Sequence, residues 1–420
     1  LFKQKRLEVF MKRVVITGCG AIRPIGNNIN DIQKSIYENE HGFGPVTRFD
    51  ASKIGIKVIG EIKNFDPNER IPKRMISKLD LVSQYALFSA IEAVDNAKLS
   101  ISDKDSENTA VIVGNGAGGG ITIVEQYKRM MSSTKHATSP IFIPKMLSNC
   151  IGANISEYYG IHGSCYSVAT ACASSCDAIG QAFELIKHGR YNMAFVVGAE
   201  SPIEELFVSG FNSLHALSRS DDFNQASIPF DKKRSRFVMG EGAGTLIVEE
   251  LNHAVKRNAD IICEIVGYGS TCDAYNLVAP DPEGKFAAKA MQHAIDEAEI
   301  VADDIQYINA HGTGTHANDI TECKAINSVF GLNSSVLVSS SKSMTGHLLG
   351  GAGSLEAIIT AYAIKTSMLP INRGTNEQDP ECKINLVTKE NRERNIEFAL
   401  SNALGFGGHN SSIVLKKWNN

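Results

Sequence analysis

The sequence lacks the signatures of the common metal and nucleotide sites. It contains no CxxC pair, no HExxH, no EF-hand loop and no GxxxxGKS or GxxxxGKT motif. These absences exclude the usual zinc, calcium and P-loop classes, and we expect no metal site. No apolar run approaches the roughly 20 residues that span a bilayer, so we expect no membrane partner. The 42 basic and 46 acidic residues leave a net charge of −4, which gives no reason to expect a nucleic-acid partner.

The cysteine content points to a reducing compartment. Nine cysteines, an odd number, occur in a chain of 420 residues without a secretory signal. This usage indicates reduced thiols and a cytoplasmic location, or a plastid-type organelle matrix if the chain is a processed form. The chain begins at Leu1, and Met11 is the candidate native start. We therefore interpret residues 1–10 as a non-native or processed leader.

Short β-rich runs alternate with helical patterns along the chain. This alternation predicts a layered α/β protein with mixed sheets whose central strands are buried. The predicted strands are Val14–Gly18, Ala110–Gly114, Met193–Gly198, Gly244–Glu249, Tyr307–Ala310, Val336–Ser341, Phe398–Leu404 and Ser411–Leu415. The predicted helices are Leu81–Leu99, Cys172–Lys187, Lys285–Glu299, Asn318–Phe330 and Gly353–Ile364. We place a division near residue 260, between halves at 11–260 and 261–420, and expect the halves to pack together.

A glycine-rich run raises the possibility of a dinucleotide site. VIVGNGAGGG, at Val111–Gly120, fits GxGxxG after a predicted strand. That fingerprint needs an acidic residue about 20 positions later for the ribose, and residues 126–145 contain no Asp or Glu. We therefore favour glycines that let the backbone pass close to another segment or to a substrate tunnel over an NAD site.

The stretch VATACASSCDAIG places Cys172 and Cys176 four residues apart. Small or apolar residues at 172, 176, 179, 183 and 186 follow the spacing of one helix face. Because Cys172 falls in the first turn, unpaired N–H groups and the helix dipole are expected to lower its pKa from about 8.5, which makes it a candidate nucleophile. We interpret Cys176 as a buried thiol that packs, and we expect no disulfide between the two.

Two histidine segments of the C-terminal half offer partners to this thiol. His311 lies in AHGTGT, and His347 lies in SSSKSMTGHLLGGAG together with Lys342. Each histidine lies in a run of Gly, Ser and Thr at the end of a predicted strand, where packing does not require an imidazole. Glu356 lies on the helix that follows the second segment.

Five motifs in this order resemble those of the β-ketoacyl-acyl carrier protein synthases, the condensing enzymes of type II fatty acid synthesis. They are TACAS around Cys172, PFD with FVMGEGAG (229 to 244), AHGTGT (310 to 315), KSMTGHLLGGAG (342 to 353) and NALGFGGHN (402 to 410). The resemblance spans roughly residues 11 to 418. It implies a thiolase-like α/β fold, in which two similar halves with mixed five-stranded sheets form a five-layer αβαβα arrangement. It also implies a homodimer.

The resemblance implies a decarboxylative Claisen condensation. An acyl group passes from acyl carrier protein to Cys172, malonyl-acyl carrier protein loses CO₂, and its carbon attacks the acyl-enzyme. His311 and His347 would bond the malonyl carbonyl as neutral imidazoles, and the backbone N–H groups of Cys172 and Phe406 would receive the oxyanion. The phosphopantetheine arm belongs to the carrier protein, so we expect no tightly bound cofactor.

The same resemblance implies further site residues. Lys342 and Glu356 would support the histidines, either as a buried structural ion pair or through direct proton transfer, and both readings stay open. The substrate-binding residues would be Thr313, Thr315, Ala117 and Phe211. The carrier-docking residues would be Arg70, Lys73 and Arg74, in the basic segment NERIPKRMISK of an acidic chain. The alternative for this segment is a solvated helix face.

The chain departs from the family pattern at several positions. Ala117 stands where long-chain members carry a bulkier residue that helps to close the acyl pocket, which leaves the acyl chain length open. Ile228 replaces an arginine, and Ser235 with Arg236 replaces Asp-Gly, so that the loss of a glycine predicts a changed local turn. Cys176 is uncommon at its position.

Several classes of protein compete with a fatty-acid condensing enzyme. A ketosynthase of a polyketide or other specialised acyl-chain pathway is the main alternative. A non-catalytic synthase partner is disfavoured because such partners lack the nucleophile, whereas Cys172, His311 and His347 are all present. A thiolase would add a second catalytic cysteine, and a cysteine hydrolase would need a water-activating arrangement that the sequence does not offer.

Overall fold

The computed structural model describes residues 11–132 and 134–419. The interpretation of residues 1–10 as a leader lies outside the described residues. The strands are β1 (Val14–Ile22), β2 (Thr109–Gly114), β3 (Cys165–Val168), β4 (Met193–Glu200), β5 (Gly242–Glu250), β6 (Cys263–Cys272), β7 (Ile305–Asn309), β8 (Leu337–Ser339), β9 (Asn385–Leu386), β10 (Phe398–Gly405) and β11 (His409–Lys417).

Helices connect most of these strands. They are α1 (Ile29–Glu38), α2 (Lys73–Ile76), α3 (Leu81–Asn96), α4 (Asp103–Glu107), α5 (Gly120–Ser132), α6 (Phe142–Met146), α7 (Asn149–Tyr159), α8 (Ser174–Lys187), α9 (Glu205–Ser213), α10 (Leu251–Lys256), α11 (Lys285–Glu297), α12 (His316–Phe330), α13 (Lys342–Thr345) and α14 (Ala352–Thr366). Short 3₁₀ turns lie at Pro67–Glu69, Ala171–Ala173, Phe223–Gln225, Ala302–Asp304 and Leu349–Gly351.

The strands form one mixed sheet that divides into two similar halves. The order is β3-β2-β4-β5-β1-β6-β11-β10-β7-β8-β9. Outward from the contact between β1 and β6, each half has two antiparallel pairings followed by parallel ones. The prediction of two similar halves with mixed five-stranded sheets is therefore confirmed. The structure adds that β1 and β6 pair over a short stretch and join the two halves into one continuous sheet, which β9 extends at its edge.

The central strands are buried, as predicted. Every residue of β1, β2, β4 and β5 is buried, whereas the edge strands β3 and β9 carry exposed residues. Helix α3 packs on β1, β5 and β4, and α11 packs on β6 and β11. Helices α8 and α14 contact each other and strands of both halves. This arrangement places α8 and α14 between the halves, and the number of layers stays a prediction.

Glycines inside two strands let helices approach the sheet closely. A Cβ on Gly20 of β1 would lie 2.0 Å from the backbone oxygen of Ser89 in α3. A Cβ on Gly269 of β6 would lie 2.1 Å from the backbone oxygen of Ala290 in α11. Neither position has room for a side chain, so both glycines serve the helix–sheet contact.

The sequence patterns located eight of the eleven strands and five of the fourteen α-helices in the described part of the chain. The eight predicted strands and five predicted helices each overlap an observed element, with ends that differ by a few residues. Strands β3, β6 and β9 were not predicted, because β3 and β9 are short and Gly267 and Gly269 interrupt the apolar pattern of β6. Within the described ranges, no helix combines the length and apolar character needed to cross a bilayer.

Candidate active site

Four segments of the chain converge at one edge of the sheet. Strands β7, β8 and β10 are parallel neighbours, so their carboxyl ends lie together. His311 comes shortly after β7, the segment with Lys342 and His347 follows β8, and Phe406 follows β10. Cys172 follows β3 in the other half of the sheet. The site therefore draws on both halves of the fold.

A strained turn presents Cys172 ahead of α8. The predicted helix Cys172–Lys187 begins with the 3₁₀ turn Ala171–Ala173, and the α-helix itself starts at Ser174. Ala171 has a φ of 50°, a left-handed conformation that costs a non-glycine residue about 1–2 kcal/mol. The turn is held by Thr170, whose backbone N–H donates to Ser174 Oγ at 2.9 Å, and by Ser174 Oγ, which donates to the Ala171 carbonyl at 2.6 Å.

The thiol of Cys172 is paired with an imidazole. Its Sγ lies 3.1 Å from Nε2 of His347. Burial raises the pKa of Cys172 to about 11, while Lys342 and the backbone N–H of Phe406 lower it. The expectation that the helix N-terminus brings this pKa below its ordinary value was wrong for the unliganded protein, because burial penalises the thiolate more than the nearby donors stabilise it. Burial and Lys342 hold the pKa of His347 well below 6.5, so the resting pair is neutral at pH 7.

Lys342 fixes the tautomer of the second histidine. The ring Nδ1 of His311 lies 3.3 Å from the Lys342 ammonium, which can only donate, so the proton of the neutral ring is on Nε2. Burial and the Lys342 charge hold the pKa of His311 well below 6.5. The His311 ring meets the His347 ring edge-on, with 5.2 Å between centroids. His311 can therefore offer a neutral N–H donor beside His347.

Lys342 and Glu356 form a buried ion pair behind the histidines. The Lys342 ammonium is ion-paired with Glu356 Oε1 and also donates to the His311 carbonyl at 2.6 Å. The side chains are 1% and 4% exposed, respectively. Burial raises the pKa of Glu356, and Lys342 opposes that rise. The structure thus places Lys342 in contact with His311, and Glu356 in contact with Lys342.

Glu322 is a site residue that the sequence reading missed. It is fully buried on α12, and its two oxygens accept the backbone N–H groups of His311 and Gly312, both at 2.7 Å. Burial raises its pKa to about 7. These bonds fix the backbone that carries His311. The sequence offers no separate signal for Glu322, because its helix face also carries Asn318 and Asp319 beside Cys323 and Ile326.

The loop after β10 brings Phe406 against the nucleophile. A Cβ on Gly405 would lie 3.1 Å from the backbone nitrogen of Cys172, so the loop passes directly over that N–H group. Gly408 has a φ of 77°, and a Cβ there would lie 2.9 Å from the Cβ of Asp273. Left-handed backbone and lack of space both require glycine at this position. The loop conformation therefore places the Phe406 N–H beside the Cys172 sulfur.

A cavity of about 280 Å³ opens over these groups. Its lining includes Cys172, Phe211, His311, Thr313, Thr315, His347 and Phe406. The ring of Phe211 stacks on that of Phe406 with 6.3 Å between centroids. Ala117 is not part of this lining. It is half-buried, and its N–H donates to Glu200 at 3.0 Å, so its part in substrate binding stays a prediction.

The three expected docking cations have different surroundings. Lys73 and Arg74 are exposed on α2. Arg70 is half-buried, with its guanidinium 4.1 Å from the centre of the Phe88 ring and 3.4 Å from Glu92. Arg70 thus has partners within the protein, whereas Lys73 and Arg74 are exposed. Docking of a carrier protein by these residues stays a prediction.

The departures from the family pattern are accommodated without strain. Ile228 is buried at 5% exposure, which suits an apolar replacement of arginine. Ser235 and Arg236 have no positive φ, so the backbone here does not require the lost glycine. Cys176 is buried in the main core cluster, and burial raises its pKa well above the ordinary value. Its placement fits the interpretation as a packing residue.

One further group could offer metal ligands. Among the described residues, His316, Asp379 and Glu381 bring ligand atoms within 4.8 Å of one another. Asp379 already accepts a hydrogen bond from the Arg234 guanidinium at 2.6 Å. A cation at this position would be repelled by that guanidinium, so Asp379 is better explained as the partner of Arg234 in an ion pair, and His316 and Glu381 are exposed beside it.

Comparison with known proteins gives consistent matches over most of the chain. Residues 11–254 match the beta-ketoacyl synthase N-terminal domain, and residues 262–376 match the C-terminal domain of the same name. The chain is 41% identical over 408 residues to a 3-oxoacyl-[acyl-carrier-protein] synthase 2 of Staphylococcus aureus, covering 97% of this chain and 99% of that protein.

Two solved structures share the fold. A beta-ketoacyl synthase of Burkholderia phymatum superposes with a TM-score of 0.90 at 30% identity, covering 97% of this chain and 100% of that chain. A type II polyketide ketosynthase, AntDE, solved with its acyl-carrier protein AntF, superposes with a TM-score of 0.89 at 27% identity and the same coverage.

Proposed function

This chain belongs to the beta-ketoacyl synthase family, and we propose that it is a 3-oxoacyl-acyl carrier protein synthase of fatty acid elongation. The observation that carries the proposal is the placement of Cys172 Sγ 3.1 Å from His347 Nε2, with the His311 ring next to it, in one cavity. A thiol beside two neutral imidazoles in one cavity suits acyl transfer followed by decarboxylation. The reaction is a decarboxylative Claisen condensation.

In the first step, Cys172 accepts the acyl group. Its sulfur attacks the thioester carbonyl of acyl carrier protein, the bond to the carrier sulfur breaks, and the proton of the Cys172 thiol ends on the departing carrier thiolate. Because the thiol is protonated at rest, its proton has to pass to the carrier sulfur as the thioester bond breaks. The backbone N–H groups of Cys172 and Phe406 would hold the oxyanion, and one such donor is worth about 10² to 10³-fold in rate.

In the second step, malonyl-acyl carrier protein loses CO₂. The carbon–carbon bond breaks, and its electron pair moves into the enolate of the malonyl thioester. The N–H donors of His311 and His347 stabilise the enolate oxygen, because both rings are neutral and Lys342 keeps the His311 proton on Nε2. The enolate carbon then attacks the acyl-enzyme, and the Cys172 thiolate leaves and regains a proton.

The partner of this reaction is acyl carrier protein, which supplies the phosphopantetheine arm. Thr313 and Thr315 in the cavity lining would contact that arm. The exposed cations Lys73 and Arg74 would dock the acidic carrier. The enzyme itself would need no tightly bound cofactor. Each of the nine cysteines is free, which supports a reducing, cytoplasmic location.

A homodimer is part of the proposal. Strand β3 is the last strand of the sheet at its end, and among the described strands it pairs only with β2. The nearby α5 and α6 region exposes apolar side chains, namely Ile123, Tyr127, Met131, Ile141 and Ile143. Unpaired strand edges and grouped apolar side chains are typical of surfaces that a second copy covers. Light scattering coupled to gel filtration measures the state directly, and a monomer at micromolar concentration would refute this part.

The alternative is a ketosynthase of a polyketide or specialised acyl-chain pathway, as in the AntDE relative. The higher identity to a fatty acid synthase relative, 41% against 27%, favours fatty acid elongation. Turnover with malonyl-acyl carrier protein and saturated acyl carriers of increasing length tests the choice. Activity on saturated chains supports fatty acid synthesis, and condensation only with oxidised or unsaturated starters would favour the alternative. The same series with Ala117→Phe measures whether Ala117 affects chain length.

A further inference from the structure

Asp177 is a buried carboxylate in the first turn of α8 that the proposed chemistry does not use. It is 4% exposed and lies on the helix that follows the nucleophile Cys172. An acidic residue at the start of a helix is common, because it interacts favourably with the helix dipole. That interaction needs no specific partner, whereas the side chain of Asp177 has two. These partners indicate a more specific role.

The two oxygens of Asp177 accept hydrogen bonds from the two halves of the fold. The Thr170 hydroxyl donates to Oδ2 at 2.6 Å, and the Tyr268 hydroxyl donates to Oδ1 at 2.9 Å. Thr170 directly precedes the turn that carries Cys172, whereas Tyr268 lies in β6 of the C-terminal half. The Tyr268 ring packs against α8, because a Cβ on Gly180 would lie 2.2 Å from its Cε2 atom. The carboxylate is therefore held in one orientation, with Oδ2 towards Thr170.

The turn that starts after Thr170 is strained and determines where Cys172 lies. Ala171 has a φ of 50°, a conformation that persists only where the surrounding structure enforces it. A Cβ on Gly405 would lie 2.8 Å from the Thr170 carbonyl oxygen and 3.1 Å from the Cys172 backbone nitrogen. Thr170 therefore also contacts the loop that carries Phe406. A movement of Thr170 would shift the nucleophile relative to that loop and its N–H donor.

We propose that Asp177 is a positioning residue for acyl transfer, acting on Cys172 through the hydroxyl of Thr170. The inference rests on the proposed function of the site. A carboxylate acceptor makes the bond from the Thr170 hydroxyl charge-assisted, and such bonds are about twice as strong as those between neutral groups. The bond fixes the start of the strained turn. It thereby holds the Cys172 thiol in register with the backbone donors that receive the oxyanion.

Two substitutions of Thr170 test this link. Valine has the shape of threonine without the hydroxyl, and serine keeps the hydroxyl without the methyl group. Acyl transfer is followed as the rate of mass gain on Cys172 at several concentrations of acyl-acyl carrier protein. In Thr170→Val, the maximal rate should fall about tenfold to 10²-fold, because a misplacement of about 1 Å can cost 10²-fold. The carrier concentration that gives half the maximal rate should stay unchanged.

The matched control is Thr170→Ser, whose maximal rate should stay within about threefold of wild type because the hydrogen bond is kept. A role in packing alone predicts the reverse order, since serine loses the methyl group and valine keeps it. CO₂ release from malonyl-acyl carrier protein, measured on enzyme that is already acylated, should stay within about threefold in Thr170→Val. The hydrogen bonds of Asp177 involve neither His311 nor His347. An equal fall of both steps would overturn the proposal.

A double-mutant cycle shows whether the effect of Thr170 passes through Asp177. Asp177→Leu has the same branched shape and accepts no hydrogen bond, so in this background Thr170→Val should cause less than about twofold further loss. A full further loss would overturn the proposal, as would an unchanged rate in Thr170→Val or an equal loss in Thr170→Ser. If Asp177→Leu does not fold, the two Thr170 variants still decide. If wild type itself gains no acyl mass, the proposed function fails, and that failure is distinct.

Discussion

Replacing Lys342 by methionine removes one partner of the buried ion pair beneath His311. The Lys342 and Glu356 side chains are 1% and 4% exposed, so Glu356 would be left without its ion-pair partner in a buried position. Loss of one partner of a buried pair costs about 3–5 kcal/mol. For a chain of 420 residues that unfolds as one unit, this corresponds to a fall in Tm of about 3 to 6 °C.

The loss of stability should depend on pH. Burial raises the pKa of Glu356, and without Lys342 it rises further. A folded carboxyl whose pKa lies above the unfolded value of about 4.3 binds more protons than the unfolded chain. Its contribution to stability is present below that value and is lost as pH rises through the folded pKa. The difference in Tm between wild type and Lys342→Met should therefore grow from pH 5 to pH 8.

Thermal unfolding followed by calorimetry at four pH values measures this effect. The control is Lys342→Met/Glu356→Leu, in which neither charge is buried, and its Tm should lie close to wild type. Equal Tm values for wild type and Lys342→Met at every pH would refute the reasoning. A double variant as unstable as the single one would also contradict it, since the loss would then come from packing and not from the unpaired carboxylate.

Three further results are expected. His311→Ala should still take up the acyl group on Cys172 but release CO₂ from malonyl-acyl carrier protein at least about 10²-fold more slowly, because a donor to the enolate is lost. Decarboxylation at the wild-type rate would argue against the role of His311. The rate of alkylation of Cys172 by iodoacetamide should increase with each pH unit up to about pH 11, because burial raises the pKa of Cys172 to about 11. A rate that levels off below pH 9 would show that the thiolate forms more easily. Gly408→Ala should slow both half-reactions, because the left-handed φ of 77° and the nearby Asp273 leave no place for a methyl group. Unchanged turnover would mean that the loop tolerates the added methyl group.

Much of the site could be predicted because its residues are unusual where they stand. A thiol at a helix start and imidazoles in runs of Gly, Ser and Thr have no packing role, so residue type and position single out Cys172, His311 and His347. The meeting of His311 and His347 follows from parallel strands, whose carboxyl ends share one edge of the sheet. Cys172 comes from the other half of the sheet, and its approach to them depends on how the halves pack. The alternation of strand and helix patterns likewise suffices for the α/β class.

The remainder depends on the environment that the fold creates. The burial that raises the pKa of Cys172 comes from segments distant in the sequence. The position of Cys172 at a helix start therefore predicted a lowered pKa, although the pKa is raised. Arg70 has no acidic partner that its own basic segment would predict, but in the fold it forms an ion pair with Glu92 of α3. Glu322 is an ordinary charged residue in the sequence, and only tertiary packing buries it.

The mass of the protein after incubation with acyl-acyl carrier protein tests the central claim most directly, namely that Cys172 is the acyl acceptor. Wild type should gain one acyl mass. Cys176→Ala, the matched control four residues away, should gain the same mass, and Cys172→Ala should gain none. Acyl labelling that persists in Cys172→Ala would contradict the assignment of the nucleophile and, with it, the mechanism built on that residue.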